Sequence, residues 1–230
     1  MTKGRPPPRG GRVRVARRKT DSSRRWLERQ LSDPYVREAR RQGYRSRAAF
    51  KLEQLDDRFR FLGRGRRVLD LGAAPGGWTQ VAVGRVGAAG RVVAVDLQAM
   101  DPVPGAVVLQ KDAADPAVEP LLREALGGAA DLVLSDMAAA ATGHPDIDHL
   151  RVMALCEAAF GLARTLLAPG GAFVAKVLRG GTERELLAAL KRDFAQVRHA
   201  KPEASRADSR EMYVVAQGFR GRAERGAEGS

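Results

Sequence analysis

The amino-acid sequence predicts an α/β fold, a sheet of seven mostly parallel strands with antiparallel pairing at one edge and helices on both faces. From Arg67 onward, short apolar runs alternate with stretches of helical spacing, which is typical of a doubly wound sheet. The first apolar run leads directly into a glycine-rich turn, as happens where such sheets bind ligands. The last two runs have no helical pattern between them, so we expect them to pair antiparallel.

Apolar runs and helical spacing locate the elements of this Rossmann-like alternation. Strands are predicted at 67–71, 91–95, 106–109, 131–135, 171–177, 195–200 and 212–217. Helices are predicted from about residue 77 and at 117–126, 148–167 and 183–194.

Two short helices are predicted ahead of the first strand. Asp33 is a capping carboxylate before Pro34, which suits a first helical position, and this helix runs to Gln42. Ser46 is predicted to open the second helix. Its apolar stripe consists of Ala48, Leu52, Leu55 and Phe59. Lys51 borders that stripe, so its ammonium group can point into the edge of a site or freely into water.

Length and composition suit one core domain with extensions, since the chain has 230 residues and 44% are hydrophobic. The sequence predicts a disordered basic arm over 1–20, a basic helical extension over 21–66, the α/β domain over 67–217 and a disordered tail over 218–230. The single cysteine, Cys156, excludes a disulfide framework, and the scattered histidines predict no metal site.

No run approaches the roughly 20 apolar residues that span a bilayer, and the N-terminus has no apolar signal region. We therefore expect a cytoplasmic protein without a membrane partner. An organellar transit peptide is an alternative interpretation of the arginine-rich N-terminus, although three consecutive prolines, residues 6–8, disfavour an amphipathic helix there.

The positive charge is concentrated at the front of the chain. Residues 1–67 contain 22 Lys and Arg against 7 Asp and Glu, whereas residues 68–230 contain 18 against 20. This distribution favours an enzyme that acts on a polyanion such as RNA, and a merely solubilising basic arm is the alternative. Because only 5% of residues are aromatic, contacts with RNA should be mostly to its backbone and shape and should depend strongly on salt.

The glycine turn over 72–77 predicts a nucleotide-like ligand at the carboxyl edge of the sheet. The fingerprint G-x-G-x-x-G is absent, which disfavours an NAD-dependent oxidoreductase. Asp96 ends the second strand and can accept hydrogen bonds from both ribose hydroxyls, and Asp112 follows the third strand. S-adenosylmethionine fits this pattern. Alternatively, the aspartates only cap the helices that follow them.

Charged residues at other strand ends predict a catalytic cluster. Asp136 and Lys176 end apolar strands at the same carboxyl edge as the glycine turn. Because burying an unpaired ammonium group is costly, Lys176 should be paired or stand in a cleft, and Asp136 is the obvious partner. Glu211 and Lys51 can complete an alternating set of acids and lysines. Alternatively, Lys176 and Asp136 form a structural ion pair and Glu211 is exposed.

The combined motifs resemble the FtsJ/RlmE family of S-adenosylmethionine-dependent ribose 2′-O-methyltransferases. The resemblance extends from about Ser46 to Gln217. It is carried by Asp-Leu-Gly-Ala-Ala-Pro-Gly-Gly-Trp (70–78), Ser-Asp-Met-Ala (135–138), Lys176 after its strand and Ser-Arg-Glu (209–211). Met100-Asp101-Pro102 and the segment 167–171 add to it.

The resemblance implies a Lys51–Asp136–Lys176–Glu211 tetrad in which Lys176 accepts a proton. It also implies cofactor contacts by Gly76, Trp78, Asp96, Asp112 and Asp136. A free lysine has a pKa of about 10.4 and is charged at neutral pH. Burial and Lys51 lower the pKa of Lys176, while Asp136 and Glu211 raise it, and the sequence leaves this balance open.

The implied activity is methylation of a uridine ribose in 23S ribosomal RNA by a monomer that binds the 50S subunit through its basic N-terminal region. Alternatives are a tRNA ribose 2′-O-methyltransferase and a non-enzymatic RNA-binding factor in ribosome assembly. One departure from the family pattern concerns substrate selectivity. Ala139 and Ala140 stand where the family usually has Pro-Asn, which removes a rigid φ and a side-chain amide from the predicted substrate mouth.

Overall fold

The computed structural model describes residues 33–139, 142–178 and 183–221, which contain six helices and seven strands. The helices are α1 (Pro34–Arg41), α2 (Ala48–Phe59), α3 (Gly77–Val86), α4 (Val118–Leu126), α5 (Pro145–Leu166) and α6 (Glu183–Asp193). The strands are β1 (Arg67–Leu71), β2 (Arg91–Asp96), β3 (Ala106–Gln110), β4 (Ala130–Ser135), β5 (Leu167–Leu178), β6 (Phe194–Ala200) and β7 (Glu211–Phe219).

The strands form one sheet in the order β3-β2-β1-β4-β5-β7-β6. Strands β1 to β5 are parallel, and β7 runs antiparallel to both β5 and β6. The predicted mostly parallel sheet with antiparallel pairing at one edge is therefore confirmed. The antiparallel strand is β7, which lies between β5 and the outermost strand β6 because the 201–210 loop turns the chain back into the sheet.

Helices cover both faces of the sheet, which explains why its strands are nearly continuous apolar runs. One face packs against α2 and α3, including Leu52 and Trp78. The other packs against α4, α5 and α6, including Phe160 and Leu190. Since Leu52 and Val68 share one core cluster, α2 packs as part of the same body as the sheet.

Several element boundaries differ from the predicted ones for local physical reasons. Ser46 does not open α2, which begins at Ala48 without a side-chain cap. Helix α5 begins three residues before the predicted position 148, because Pro145 suits its first turn. Strand β7 continues to Phe219, which is buried and contacts the ring of Phe194, so the core extends past the predicted limit at 217.

A third apolar cluster joins the front helices to the 201–210 loop. It consists of Ala39, Phe50 and Ala204, with Tyr35 and Tyr44 packed against it. This contact brings the chain just before β7 onto α1 and α2. Three parts of the prediction lie outside the described residues: the arm over 1–20, residues 21–32 of the basic helical extension and residues 222–230 of the tail. Within the described part of the chain, every helix is too short or too polar to cross a membrane.

Candidate active site

Parallel register places four motif residues side by side at the carboxyl edge of the sheet. Leu71 is in register with Val95 and with Ser135, and Ser135 is in register with Ala175. The next residues along these four strands are Gly72, Asp96, Asp136 and Lys176. Antiparallel pairing then places Tyr213 opposite Lys176 and Glu211 opposite Leu178. The sheet itself therefore assembles most of the predicted site.

The glycine turn is shaped by its close approach to the end of β4. Gly72 has a φ of +74°, and a Cβ atom there would lie 2.8 Å from the Cα atom of Met137. Only glycine fits this position without displacing backbone. The amide N–H groups of Gly72 and Ala73 both donate to the carbonyl of Val95, which fastens the turn to β2.

Helix α3 begins directly after this turn, with Gly76 as its N-cap at a φ of +110°. The first N–H groups of a helix have no partner within it and carry partial positive charge. A Cβ atom on Gly77 would lie 2.4 Å from the hydroxyl oxygen of Ser46, so the starts of α2 and α3 are in close contact. The turn and the helix start thus form a backbone cradle suited to a polar ligand.

The two aspartates predicted to contact the cofactor, Asp96 and Asp112, differ in environment. Asp96 is half-buried, and its Oδ2 accepts from the amide of Ala74 at 2.9 Å while its Oδ1 accepts from the amide of Gln98 at 2.8 Å. Asp112 is exposed, and its Oδ1 accepts from the amide of Ala114 at 2.8 Å. Because a carboxylate offers about four lone-pair sites, both groups retain acceptor capacity for a ligand.

Trp78 is among the residues expected to contact the cofactor, but its side chain is buried inside the protein. Its indole is 2% exposed, Nε1 donates to the carbonyl of Ala48 at 2.8 Å, and the ring packs on Tyr213 at 5.6 Å. The side chain therefore belongs to the contact between α2 and α3. Any contact that Trp78 makes with a ligand has to come from its backbone, in the first turn of α3.

The structure brings all four predicted tetrad residues together. Lys176 Nζ lies 2.7 Å from Asp136 Oδ1 and 3.8 Å from Glu211 Oε2, and it also donates to the Asp136 carbonyl at 3.0 Å. Lys51 Nζ lies 2.6 Å from Glu211 Oε1. These side chains are only 10–16% exposed, so the cluster stands at the border between core and solvent. Glu211 is not the exposed residue of the alternative interpretation.

Tyr213 is a member of this cluster that the sequence analysis missed. It is fully buried, its hydroxyl donates to Asp136 Oδ1 at 2.7 Å, and Glu211 Oε1 lies 3.2 Å away. Lys51 Nζ in turn donates to the hydroxyl oxygen at 3.4 Å. The alternation of side chains along a strand could have predicted this position. Glu211 and Tyr213 are two residues apart on β7 and so point to the same face.

Ser205 also contacts the cluster without having been predicted. Its hydroxyl donates to Glu211 Oε1 at 2.9 Å from the 201–210 loop. The same loop is held to α2, where Gln54 accepts from the Ala204 amide at 2.8 Å and Arg47 donates to the Ala204 carbonyl. Its position depends on the tertiary fold of a loop, which periodicity does not reveal.

Electrostatic interactions in the cluster keep Glu211 and Lys176 ionised and Tyr213 protonated. Burial opposes the charge of Glu211, but Lys51 and Lys176 outweigh it and lower the pKa of Glu211 to about 2. Burial likewise opposes the charge of Lys176, yet Asp136 and Glu211 raise its pKa above the ordinary value. Burial and the same two carboxylates raise the pKa of Tyr213 well above its ordinary value, so its hydroxyl keeps its proton. Lys176 is therefore an ammonium group at neutral pH and a hydrogen-bond donor.

Asp70, on β1 just before the glycine turn, is a completely buried carboxyl group. Burial raises the pKa of Asp70 to about 7, with smaller contributions from Asp136 and Asp96, although the Thr79 hydroxyl donates to it at 2.7 Å. Its Oδ1 has no hydrogen-bond partner among the described residues. Asp70 belongs to the glycine motif, but its perturbed ionisation depends on a completely buried environment that the motif does not specify.

The described residues contain no candidate metal site. Within residues 33–139, 142–178 and 183–221, no three His, Cys, Asp or Glu side chains are grouped as metal ligands. Of the pair that departs from the family pattern, Ala139 is half-buried and follows Asp136 by three residues, and Ala140 lies outside the described residues. The arrangement as a whole offers two ammonium groups and two carboxylates beside a backbone cradle.

The chain is similar to known proteins over most of its length. The model of the FtsJ-like methyltransferase family matches residues 44–219. A protein of Parvibaculum lavamentivorans named ribosomal RNA large subunit methyltransferase E is 59% identical over 93% of this chain and 88% of its own length. A protein of the same name from Paramagnetospirillum magneticum is also 59% identical, over 93% of this chain and 89% of its own length.

Solved structures extend the similarity to the fold. A Plasmodium falciparum structure described as a ribosomal RNA methyltransferase superposes with a TM-score of 0.70 at 31% identity, covering 78% of this chain and all of that one. The fibrillarin/Nop5p complex contains a chain with a TM-score of 0.52 at 19% identity, covering 74% of this chain and 83% of that one. The second likeness concerns the fold alone.

Proposed function

Since the chain belongs to the FtsJ-like methyltransferase family, we propose that it transfers a methyl group from S-adenosylmethionine to a ribose 2′-hydroxyl of large-subunit ribosomal RNA. The observation that carries this proposal is the cluster of Lys51, Asp136, Lys176 and Glu211 beside the glycine turn. The cluster provides donors for a ribose hydroxyl within reach of a nucleoside site. The proposed target is a uridine of 23S ribosomal RNA in the assembled 50S subunit.

The cofactor fits the residues around the glycine turn. The backbone N–H group of Trp78, in the first turn of α3, can bind the polar methionine end. Gly76 would contact the cofactor through the backbone bend that its positive φ allows, because its own N–H donates to the Ala73 carbonyl at 2.6 Å. Asp96 can accept hydrogen bonds from ribose hydroxyls, and Asp112 can accept from a donor on the base. Asp136 borders both the cofactor and the acceptor. Bound S-adenosylmethionine supplies an electrophilic methyl group on a positive sulfur.

The lysines orient the acceptor in this mechanism. Lys176 is fixed by Asp136 and Lys51 by Glu211, so both ammonium groups can donate to a 2′-oxygen without moving. With S-adenosylmethionine bound, attack by the 2′-oxygen would form the C–O bond as the C–S bond breaks, and the hydroxyl proton would leave to solvent. Because the raised pKa keeps Lys176 protonated, we propose that it orients the hydroxyl and does not accept its proton. Alignment of the reacting atoms supplies most of the acceleration.

The experiment that tests this function compares RNA substrates with labelled S-adenosylmethionine. Incorporation into stripped 23S ribosomal RNA, 50S particles and tRNA is measured for the wild-type protein. We expect 50S particles to be the best substrate and tRNA to receive no label. Preferential labelling of tRNA would assign the tRNA function instead, and RNA binding without any incorporation would support an assembly factor.

The basic N-terminal region, residues 1–67, is proposed to bind the RNA backbone for a monomeric enzyme that works with ribosomes in the cytoplasm. Raising salt from about 50 to about 200 mM should then weaken RNA binding by about 10³-fold, whereas cofactor affinity should change little. Filter binding on the full chain and on a chain lacking residues 1–20 provides the measurement. The truncation should flatten the salt dependence, and an unchanged slope would contradict phosphate contacts by this arm.

A further inference from the structure

Arg45, in the connection between α1 and α2, links two loops of the proposed cofactor site. Its Nη1 donates to the carbonyl oxygen of Pro75 at 3.2 Å and to that of Asp101 at 2.6 Å, and its Nη2 donates to the carbonyl of Pro102 at 2.7 Å. Pro75 belongs to the glycine turn, whereas Asp101 and Pro102 belong to the loop after β2. One guanidinium group therefore spans both loops.

Asp96 joins the same two loops through groups of the opposite kind. Its carboxylate accepts from the amide of Ala74 in the turn and from the amide of Gln98 in the loop after β2. The carboxylate thus gathers N–H groups, while the guanidinium gathers carbonyl oxygens, and both kinds of charge-assisted bond are strong. Asp96 is also proposed to contact the cofactor, whereas the donors of Arg45 are already directed at protein carbonyls.

Arg45 is itself held in place from the side of α3. Its backbone amide donates to Gln80 Oε1 at 2.8 Å, and Gln80 Nε2 donates to the carbonyl of Gly43 at 3.0 Å. A Cβ atom on Gly76 would lie 3.0 Å from Arg45 Nη1, so the side chain packs directly against the turn. The fork of the guanidinium suits several carbonyls at once, which a single ammonium group cannot reproduce.

We propose that Arg45 is a positioning residue for the cofactor, setting the spacing between the glycine turn and the loop after β2. This inference rests on the proposed use of S-adenosylmethionine. It assigns Arg45, despite its place in the basic N-terminal region, to the cofactor side of the reaction and not to phosphate contacts. Through the α1–α2 connection, it also makes the cofactor loops depend on the helices that precede the sheet.

The test compares Arg45→Met and Arg45→Lys with Arg85→Met, a matched control. Arg85 lies on α3 and pairs with Asp56 and Asp57 away from both loops. Calorimetry gives the affinities for S-adenosylmethionine and S-adenosylhomocysteine, filter binding gives RNA affinity, and kinetics separates kcat from KM. Loss of several charge-assisted bonds should raise both cofactor dissociation constants about 10- to 100-fold in Arg45→Met and about 3- to 10-fold in Arg45→Lys.

The control should bind the cofactor within about twofold of wild type, and all three variants should keep wild-type RNA affinity and kcat within about threefold at saturating cofactor. A folded Arg45→Met protein with wild-type cofactor affinity would overturn the inference, as would a loss confined to RNA affinity. If Arg45→Met does not fold, the same criteria apply to Arg45→Lys. Failure of the wild-type protein to bind S-adenosylmethionine would instead contradict the proposed function.

Discussion

The cofactor side and the tetrad side of the site are built in different ways. The cofactor side is mostly backbone from one continuous stretch, the turn from Gly72 to the start of α3, with Asp96 fastening it to β2. The tetrad side is made of side chains from α2, β5, β7 and the residue after β4. A continuous turn tolerates little variation in its own residues, whereas a cluster of side chains depends on the whole sheet register.

This difference separates two kinds of contribution to catalysis. Changes on the cofactor side should weaken binding, because the turn and Asp96 are proposed to contact the cofactor in the ground state and the transition state alike. Changes on the tetrad side should lower kcat, because the ammonium groups act on the attacking oxygen. Three substitutions test this separation, in order of decreasing expected effect, and a fourth tests the buried carboxyl group of Asp70 between the two sides.

Replacing Lys176 by methionine should have the largest effect. We expect kcat to fall by about 10³-fold, because a preorganised donor at the reacting oxygen is lost, while cofactor affinity stays within about threefold. Single-turnover kinetics and calorimetry measure the two quantities. Lys191→Met, at an exposed position of α6, is the control and should behave as wild type. A Lys176→Met enzyme that methylates at the wild-type rate would remove the assigned role.

Replacing Asp96 by asparagine should affect binding instead. The amide retains one acceptor but presents donors to the backbone N–H groups, so we expect the cofactor KM to rise about 10- to 100-fold with kcat nearly unchanged. Asp115→Asn is a matched control, since Asp115 Oδ1 accepts from the Ala117 amide at 2.9 Å in a similar local turn. A fall in kcat at saturating cofactor would break the division between the two sides.

Replacing Tyr213 by phenylalanine tests the residue that links the tetrad internally. Removal of the hydroxyl takes a hydrogen bond from Asp136, so kcat should fall about tenfold at constant cofactor KM. Tyr44→Phe is the control, because the Tyr44 hydroxyl also donates to a carboxylate, Glu53, at 2.6 Å but lies outside the cluster. Equal kinetics for the two variants would show that Tyr213 has a packing role only.

Replacing Asp70 by asparagine should change stability more than turnover. With a folded pKa of about 7 against 3.8 for the free group, Asp70 keeps its proton in the fold while the unfolded chain releases it above about pH 4. Stability should therefore fall with rising pH by about 1.4 kcal/mol per pH unit between pH 5 and 6, and level off above pH 7. Urea denaturation of both proteins isolates this contribution as the difference in slope. Parallel curves would contradict a protonated Asp70.

The sequence predicts the cofactor side and the tetrad unequally well. The strand-turn-helix motif specifies its own geometry, and strand ends are readable from apolar runs, so Asp96, Asp136 and Lys176 could be assigned to one edge. Lys51 and Glu211 are only possible additions to this cluster on the residues alone, and the family resemblance implies that they complete the tetrad. Tyr213 and Ser205 were missed because their contacts arise from sheet pairing and loop packing. The ionisation of Lys176 could not be predicted either, since it depends on competing burial and charge.

Residues whose types suggest one role can also acquire another from their surroundings. The resemblance implies that Trp78 contacts the cofactor, and its indole joins α2 to α3 inside the protein, which leaves its backbone for that contact. Arg45 lies in a segment whose charge suggests phosphate contacts, but its guanidinium donates to carbonyl oxygens. In both cases the role of the side chain follows from its hydrogen-bond partners, and these partners cannot be predicted from the sequence.

The most direct test of the account is nucleoside mass spectrometry of 23S ribosomal RNA after reaction of 50S particles with labelled S-adenosylmethionine. The account predicts a single labelled nucleoside, a uridine methylated on its ribose 2′-oxygen, that is absent when Lys176→Met replaces the wild-type protein. Label on a base, or equal ribose labelling by both proteins, would contradict the claim that the lysine–carboxylate cluster directs methyl transfer to a ribose hydroxyl.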